Sequence, residues 1–275
     1  MTHHVNDYSK PLIFLGSSVN MYKLIEVCAQ WGIAIHGIID SDYHERDPAV
    51  CDLPIIDTEQ SFSDPEKLAH YRENYNFFCA VNWIPGPDKI NTHNRKKRQH
   101  YIKLIKKHNL NCISLVNYTS NVSKYTEIGR GVFVDCLTVV EAKCDIGDYT
   151  SIYALAVIGH HSVLKENVLI QRRVIITGDV TVEKNSYIGV DSRVLKNHSV
   201  VASGTFIHPG IILHRNTLPG EIVSLTGTNT RRVATERTVG WDTYHQIANV
   251  FYMLGRKFIL VLKRINKLLG RSIGG

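Results

Sequence analysis

The chain has 275 residues, 44% of them hydrophobic and 21% charged, with a net charge of +7. That length allows one large domain or two modest ones, and no apolar run reaches the roughly 20 residues needed to span a bilayer. The positive charge is concentrated at one end: Asp242 is the last acid, and Arg256, Lys257, Lys263, Arg264, Lys267 and Arg271 follow it. The preceding chain therefore carries only +1, which argues against a nucleic-acid footprint on the body.

The N-terminal part alternates strand and helix signals. Pro11–Gly16 is a short apolar strand ending in glycine, Asn20–Trp31 has helical spacing at Leu24, Val27 and Cys28, and Ile33–Asp40 reads as a second strand. A short strand near Leu53–Ile56, a helix around Pro65–Tyr71, a strand at Asn76–Asn82 and a basic helix at Lys96–His108 follow, before Asn111–Val116 leads onward. Strands separated by helices predict a small parallel sheet. The region is too short for a full dinucleotide-binding domain. The six cysteines (28, 51, 79, 112, 136 and 144) form no CxxC pair. With no secretory signal over Met1–Lys10, they read as reduced thiols of a cytoplasmic protein.

From Val122 onward the period changes to six. Val122, Ile128, Val134, Val140, Ile146, Ile152, Ile158, Leu164, Ile170, Ile176, Val182, Ile188, Val194, Val200, Phe206 and Ile212 are all apolar, at every sixth position. A period of six matches neither a helix nor a half-buried strand. It matches a solenoid of short strands and turns in which three hexads make one coil and each inward side chain stacks on the one 18 positions earlier. The fourth position after these residues is mostly small or β-branched (Thr126, Thr138, Cys144, Thr150, Ala156, Ser162, Ser186, Ser192), as tight corners require. Leu218–Gly220 then breaks the register. Tyr244–Leu269 reads as a helix with Ile247, Val250, Phe251, Leu254, Phe258, Leu262, Ile265 and Leu269 on one stripe and cations largely opposite. The expected organisation is an α/β domain over 1–117, a solenoid over 118–233 and a basic amphipathic helix within 234–275.

A small α/β domain followed by hexapeptide repeats resembles the PglD/NeuD family of bacterial sugar acyltransferases. The central family motif is matched by Ile158-Gly159-His160-His161-Ser162-Val163, in hexad register. Ser199–Thr205 matches the small-residue stretch that lies along pantetheine, and Leu218–Val223 matches the closing turn. The resemblance implies a left-handed β-helix, a homotrimer, acetyl-CoA as co-substrate between neighbouring chains, and no metal. It implies that the α/β domain holds a nucleotide-linked amino sugar or another sugar acceptor.

By the same resemblance His160 is the general base and His161 stands where the family has the carboxylate that orients it. Leu169 occupies the position of a second histidine that contacts the acyl donor, and Tyr153 that of an asparagine. Gly178 corresponds to the oxyanion-stabilising amide; its separation of 18 residues from His160 also puts it one coil along on the same side. Ala202, Ser203 and Gly204 belong to the pantetheine stretch, and Arg231 and Arg232 suit CoA phosphates. Gly16, Ser17 and Ser18 fill the family's phosphate-binding turn, and Asp40 and Asp42 match its acidic residues. The expected function is acetyl transfer to a sugar amine in surface glycan assembly, with sugar O-acetylation as the nearest variant and a non-catalytic trimeric scaffold as the alternative class. For the basic tail two readings stand open, contact with an anionic membrane surface or packing against protein.

Overall fold

The computed structural model describes residues 7–18, 21–42, 49–82 and 89–224. Its first part is a sheet in the order β3-β4-β2-β1-β5, comprising β1 (Leu12–Leu15), β2 (Ile35–Ile39), β3 (Ala49–Val50), β4 (Leu53–Asp57) and β5 (Asn76–Cys79). All pairings are parallel except the short β3–β4 hairpin. Both faces of β1 are buried, as a run of four apolar residues demands. Helix α1 (Met21–Gln30) covers one face through Met21, Leu24, Val27 and Cys28. Helix α2 (Pro65–Asn74) starts where Asp64 accepts hydrogen bonds from the amides of Glu66 and Lys67, with proline next to the cap. Helix α3 (Lys89–Lys107) begins earlier than its basic stretch suggests and buries Tyr101, Ile102 and Ile105 on the other face.

The solenoid opens at Leu115–Val116, just ahead of the expected boundary at residue 117, and consists of two-residue strands in three parallel sheets of six, five and seven. The first face runs from Asn121–Val122 to Ile212–Leu213, the second from Glu127–Ile128 to Val200–Val201, and the third from Leu115–Val116 to Ile222–Val223. It is a left-handed parallel β-helix. Its core is a ladder of aliphatic side chains, Val134, Ile152, Ile170 and Ile188 among them, with essentially no exposure. From the third corner onward one residue per corner adopts the left-handed backbone conformation, including Lys143, Tyr149, Leu155, His161, Asn167, Arg173, Asp179, Asn185 and Asp191, with φ between 56° and 64°. The small residue that follows does more than fit. Thr126, Thr150, Ser162 and Ser192 donate their hydroxyls to corner carbonyls of the next coil at 2.6–3.0 Å.

The hexad series is corrected at its end. The corner after Arg193–Val194 holds one extra residue, so Val182 pairs with Val201 and the next left-handed residue after Asp191 is His198, seven positions on and not six. Val201, Ile207 and Leu213 point inward, and Val200, Phe206 and Ile212 point outward, with Val200 38% and Ile212 54% exposed. The sequence hides the slip because both residues of each doublet are apolar there (Val200-Val201, Phe206-Ile207, Ile212-Leu213), so either register reads equally well.

Arg98, on α3, ties the two parts together. Fully buried, it donates to the carbonyls of Val81 and Tyr149 and to the side chain of Asn167. Tyr149 enters the core of the α/β part, and Phe133 and Tyr153 pack beneath α1. The six thiols are free, and burial pushes Cys28 up to about 12.

Candidate active site

His160 and His161 occupy the corner that joins the first face to the second, directly after Val157–Ile158. Both are exposed, and they are perpendicular, with Nδ1 atoms 3.0 Å apart. If the outer ring nitrogen of His160 is to carry a lone pair, its Nδ1–H must donate to Nδ1 of His161. Stacking in steps of 18 brings Gly178 against the His160 ring: a Cβ on Gly178 would lie 2.5 Å from the His160 Cε1 atom. Asp179 follows in the same column as His161, and a carboxylate oxygen of it lies within 4.8 Å of one ring nitrogen of each histidine.

The second amide of a corner points out of the coil, and several such amides meet carboxylates. His160 N–H donates to Glu141 Oε2 at 2.8 Å, Arg130 N–H to Asp148 Oδ1 at 2.8 Å, and Ala154 N–H to Asp135 Oδ2 at 3.3 Å. Gly178 occupies the same corner position. Glu141 and Asp135 each sit 19 residues before the amide they cap, and the same step back from Gly178 reaches Gly159, which has no side chain to offer. Among the described residues the Gly178 N–H meets no acceptor. A Cβ on Gly159 would lie 2.6 Å from the Gly178 nitrogen, so glycine there keeps the amide open. An outward amide that takes carboxylate oxygens at sister corners is suited to an oxyanion.

The other expected donor-side residues lie elsewhere. Ala202, Ser203 and Gly204 form the corner at the far edge of the second face; the Ser203 hydroxyl donates to the Lys184 carbonyl, and Gly204 has φ +69°. Leu169 is fully buried on the third face in a cluster with Tyr187, Phe206 and Ile222, half a coil from His160 and so on the opposite side of the same prism. Arg231 and Arg232, like the helix expected over 244–269, lie outside the described residues.

On the acceptor side the expected residues divide into two groups. Gly16 has φ +71°, and a Cβ there would collide with Val81 and Tyr101. Close packing therefore requires glycine at this position. Ser17 donates to Asp40, which is wholly buried and bonded by Lys97 Nζ at 2.6 Å. Asp42 receives Lys97 at 2.7 Å and His93 at 2.8 Å. Burial works to raise the Asp42 carboxyl, but the hydrogen bonds and charges of Lys97 and His93 prevail and hold it below its usual range. The acids thus form an ion cluster at the carboxyl end of the sheet. Ser18 and Tyr153 instead line a small cleft between the end of β5 and the prism, together with Asn82, Arg98 and Ser151. Tyr153 packs edge-on against Phe133 with Lys23 Nζ 5.9 Å from its ring, and burial raises its phenol so that it stays protonated.

Glu141, Gly159 and Asp179 were missed in the sequence, although the 18-residue spacing that found Gly178 leads to each of them. Lys97 had no such signal, since only the docking of α3 on the sheet brings it to Asp40.

These features define the class: a prism-shaped, hexapeptide-repeat chain with an exposed imidazole beside an open corner amide. Sequence comparison with protein-family models and with curated proteins finds no match. The fold is shared with solved sugar acyltransferases. A mutant of perosamine N-acetyltransferase from Caulobacter crescentus, in complex with CoA and GDP-perosamine, superposes with a TM-score of 0.67 at 19% identity, over 82% of this chain and 98% of that one. WeeI from Acinetobacter baumannii AYE gives 0.63 at 14% identity, over 78% and 96%. The acetyltransferase domain of PglB from Neisseria gonorrhoeae FA1090 gives 0.55 at 19%, over 78% and 96%. At these identities the likeness establishes the fold.

Proposed function

We propose that the protein is a CoA-dependent acyltransferase that moves an acetyl group from acetyl-CoA to an amino group of a nucleotide-linked sugar in surface glycan assembly. The observation that carries this reading is the pairing of the exposed His160 ring with the uncapped Gly178 amide one coil away. His160 takes a proton as the acceptor nitrogen attacks the thioester carbonyl, and the Gly178 N–H donates to the oxygen that becomes negative. The tetrahedral intermediate collapses by expelling the CoA thiolate, and the proton on His160 returns to that leaving group. His161 accepts from the inner nitrogen of His160, and Asp179 favours the positive charge that develops on the pair. The Caulobacter relative, crystallised with CoA and GDP-perosamine, supports this substrate class. The Ser18–Tyr153 cleft lies at the carboxyl ends of parallel strands, where ligands of open α/β sheets bind.

In this reading the working unit is a homotrimer, with the acyl donor between neighbouring prisms, Ala202, Ser203 and Gly204 along its pantetheine, and Arg231 and Arg232 at its phosphates. The domain limits 1–117, 118–233 and 234–275 belong to the same proposal, as does contact of the basic tail with an anionic membrane surface. A thiol-release assay with acetyl-CoA over a panel of UDP-, GDP- and dTDP-linked amino sugars tests the function. Release that depends on one acceptor and falls about 100-fold or more in His160→Ala supports it. A second reading, a non-catalytic scaffold, is favoured by the replacement of the orienting carboxylate by His161 and by the apolar, buried Leu169. Absence of CoA binding at millimolar ligand by calorimetry selects the scaffold.

A further inference from the structure

We propose that His160, His161 and Asp179 form a chelating site for a soft divalent cation of the zinc class, and that its occupation takes His160 out of service as a base. The site itself rests on geometry alone; its effect on the base rests on the function proposed above.

The two imidazoles present the same atom to each other, Nδ1 to Nδ1, at 3.0 Å, on rings set 87° apart. Two imidazole nitrogens bound to one tetrahedral zinc, each at about 2.0–2.1 Å, stand about 3.3 Å apart, so a small opening of the pair admits the ion. An Asp179 carboxylate oxygen lies within 4.8 Å of one ring nitrogen of each histidine and offers a third ligand from the next coil. Both rings are exposed, so they can make that adjustment without disturbing the core. Two nitrogens and one carboxylate leave a fourth position for water, the pattern of an open site. Backbone geometry fixes the cluster. His161 and Asp179 are held at adjacent left-handed corners with φ of 57° and 59°, and Asp179 N–H donates to the His160 carbonyl at 2.9 Å.

The cation and the catalytic proton compete for one atom. In the base-competent pair, His160 Nδ1 holds the proton shared with His161 and leaves Nε2 its lone pair. A cation on Nδ1 takes that nitrogen's lone pair, so the ring's single proton moves from Nδ1 to Nε2. His160 then has no lone pair for an acceptor. Cation binding and base function therefore exclude each other.

Isothermal titration of the chelator-stripped full chain with Zn²⁺, without acyl donor, tests the site. One ion per chain is expected, with binding weakened about 10-fold or more in both Asp179→Asn and His161→Asn. Asparagine tolerates the left-handed backbone at 161, and coincident thermal melts confirm that the variants fold. His208→Asn, outside the cluster, should bind as the parent does. Ring ¹⁵N shifts of His160 should report Nδ1 metallated and Nε2 protonated, which tests the effect on the base without any activity. Lack of saturable binding, or affinity unchanged in both cluster variants, overturns the site. A metallated Nε2 overturns the competition. Failure of acetyl transfer with zinc binding intact would overturn the functional reading and leave the site standing.

Discussion

At Gly178 the backbone conformation is open to alanine, but the space is not. The added methyl would press on the His160 ring, an exposed side chain that can swing away. Gly178→Ala should therefore leave the melting temperature almost unchanged while displacing the base. A shift on the order of 1 Å costs up to about 100-fold in rate, and kcat for acetyl transfer should fall by 10- to 100-fold in a steady-state assay. An unchanged kcat would remove His160 from the reacting centre. Lys97 presents the opposite case, structural at an apparently functional place. It neutralises Asp40, which has no exposure at all. Lys97→Met leaves that carboxylate buried beside Ser17 and should cost about 3–5 kcal/mol in urea unfolding. Adding Asp40→Asn should recover most of the loss. If the double variant is no more stable than the single, the pair is not the source of the stability.

Among the elements, the corner at residues 195–199 decides which side of each later strand meets the core. The outward set contains Ile212 and the inward set Leu213. Ile212→Asp should change stability by no more than about 0.5 kcal/mol, as exposed substitutions do. Leu213→Asp places an unpaired charge in the ladder and should lower stability by several kcal/mol or prevent folding. Equal effects of the two variants in chemical denaturation would restore the unbroken period of six. The extra residue lies in the same corner column as His160 and Gly178, one coil beyond Asp179, so the interruption of the repeat and the candidate site share one edge of the prism.

For the whole molecule the half-coil separation of His160 and Leu169 carries the consequence. Within one chain these residues are on opposite sides of the prism, so a donor site that uses both needs a second chain. Light scattering at micromolar concentration should give three chains per particle, and a monomer would defeat the shared donor site. No helix among the described residues is long and apolar enough to cross a membrane. The basic tail can be tested separately with vesicles. Sedimentation with anionic but not neutral liposomes, abolished by deleting residues 244–275, is the expected result if the tail meets lipid. Equal recovery in the supernatant with and without anionic lipid would assign it to protein packing.

The sequence alone determined the prism, because a side chain every sixth residue has one geometrical solution, and it placed Gly178 over His160 because stacking in steps of 18 is set by the coil. It also determined the α/β part, from buried apolar runs such as Leu12–Leu15 alternating with amphipathic helices. The tertiary structure decided what spacing could not. Apolar doublets satisfy two registers equally, and only the path of the corner after Val194 chose between Val200 and Val201. Asp40 and Asp42 read from the sequence as ligand-binding acids, and only the docking of α3 placed Lys97 between them. Tyr153 and Ser18, 135 positions apart, share a cleft only because the sheet docks on the third face of the prism. Periodicity along a chain fixes its contacts with itself at a constant separation, whereas contacts between unlike elements depend on how their surfaces pack.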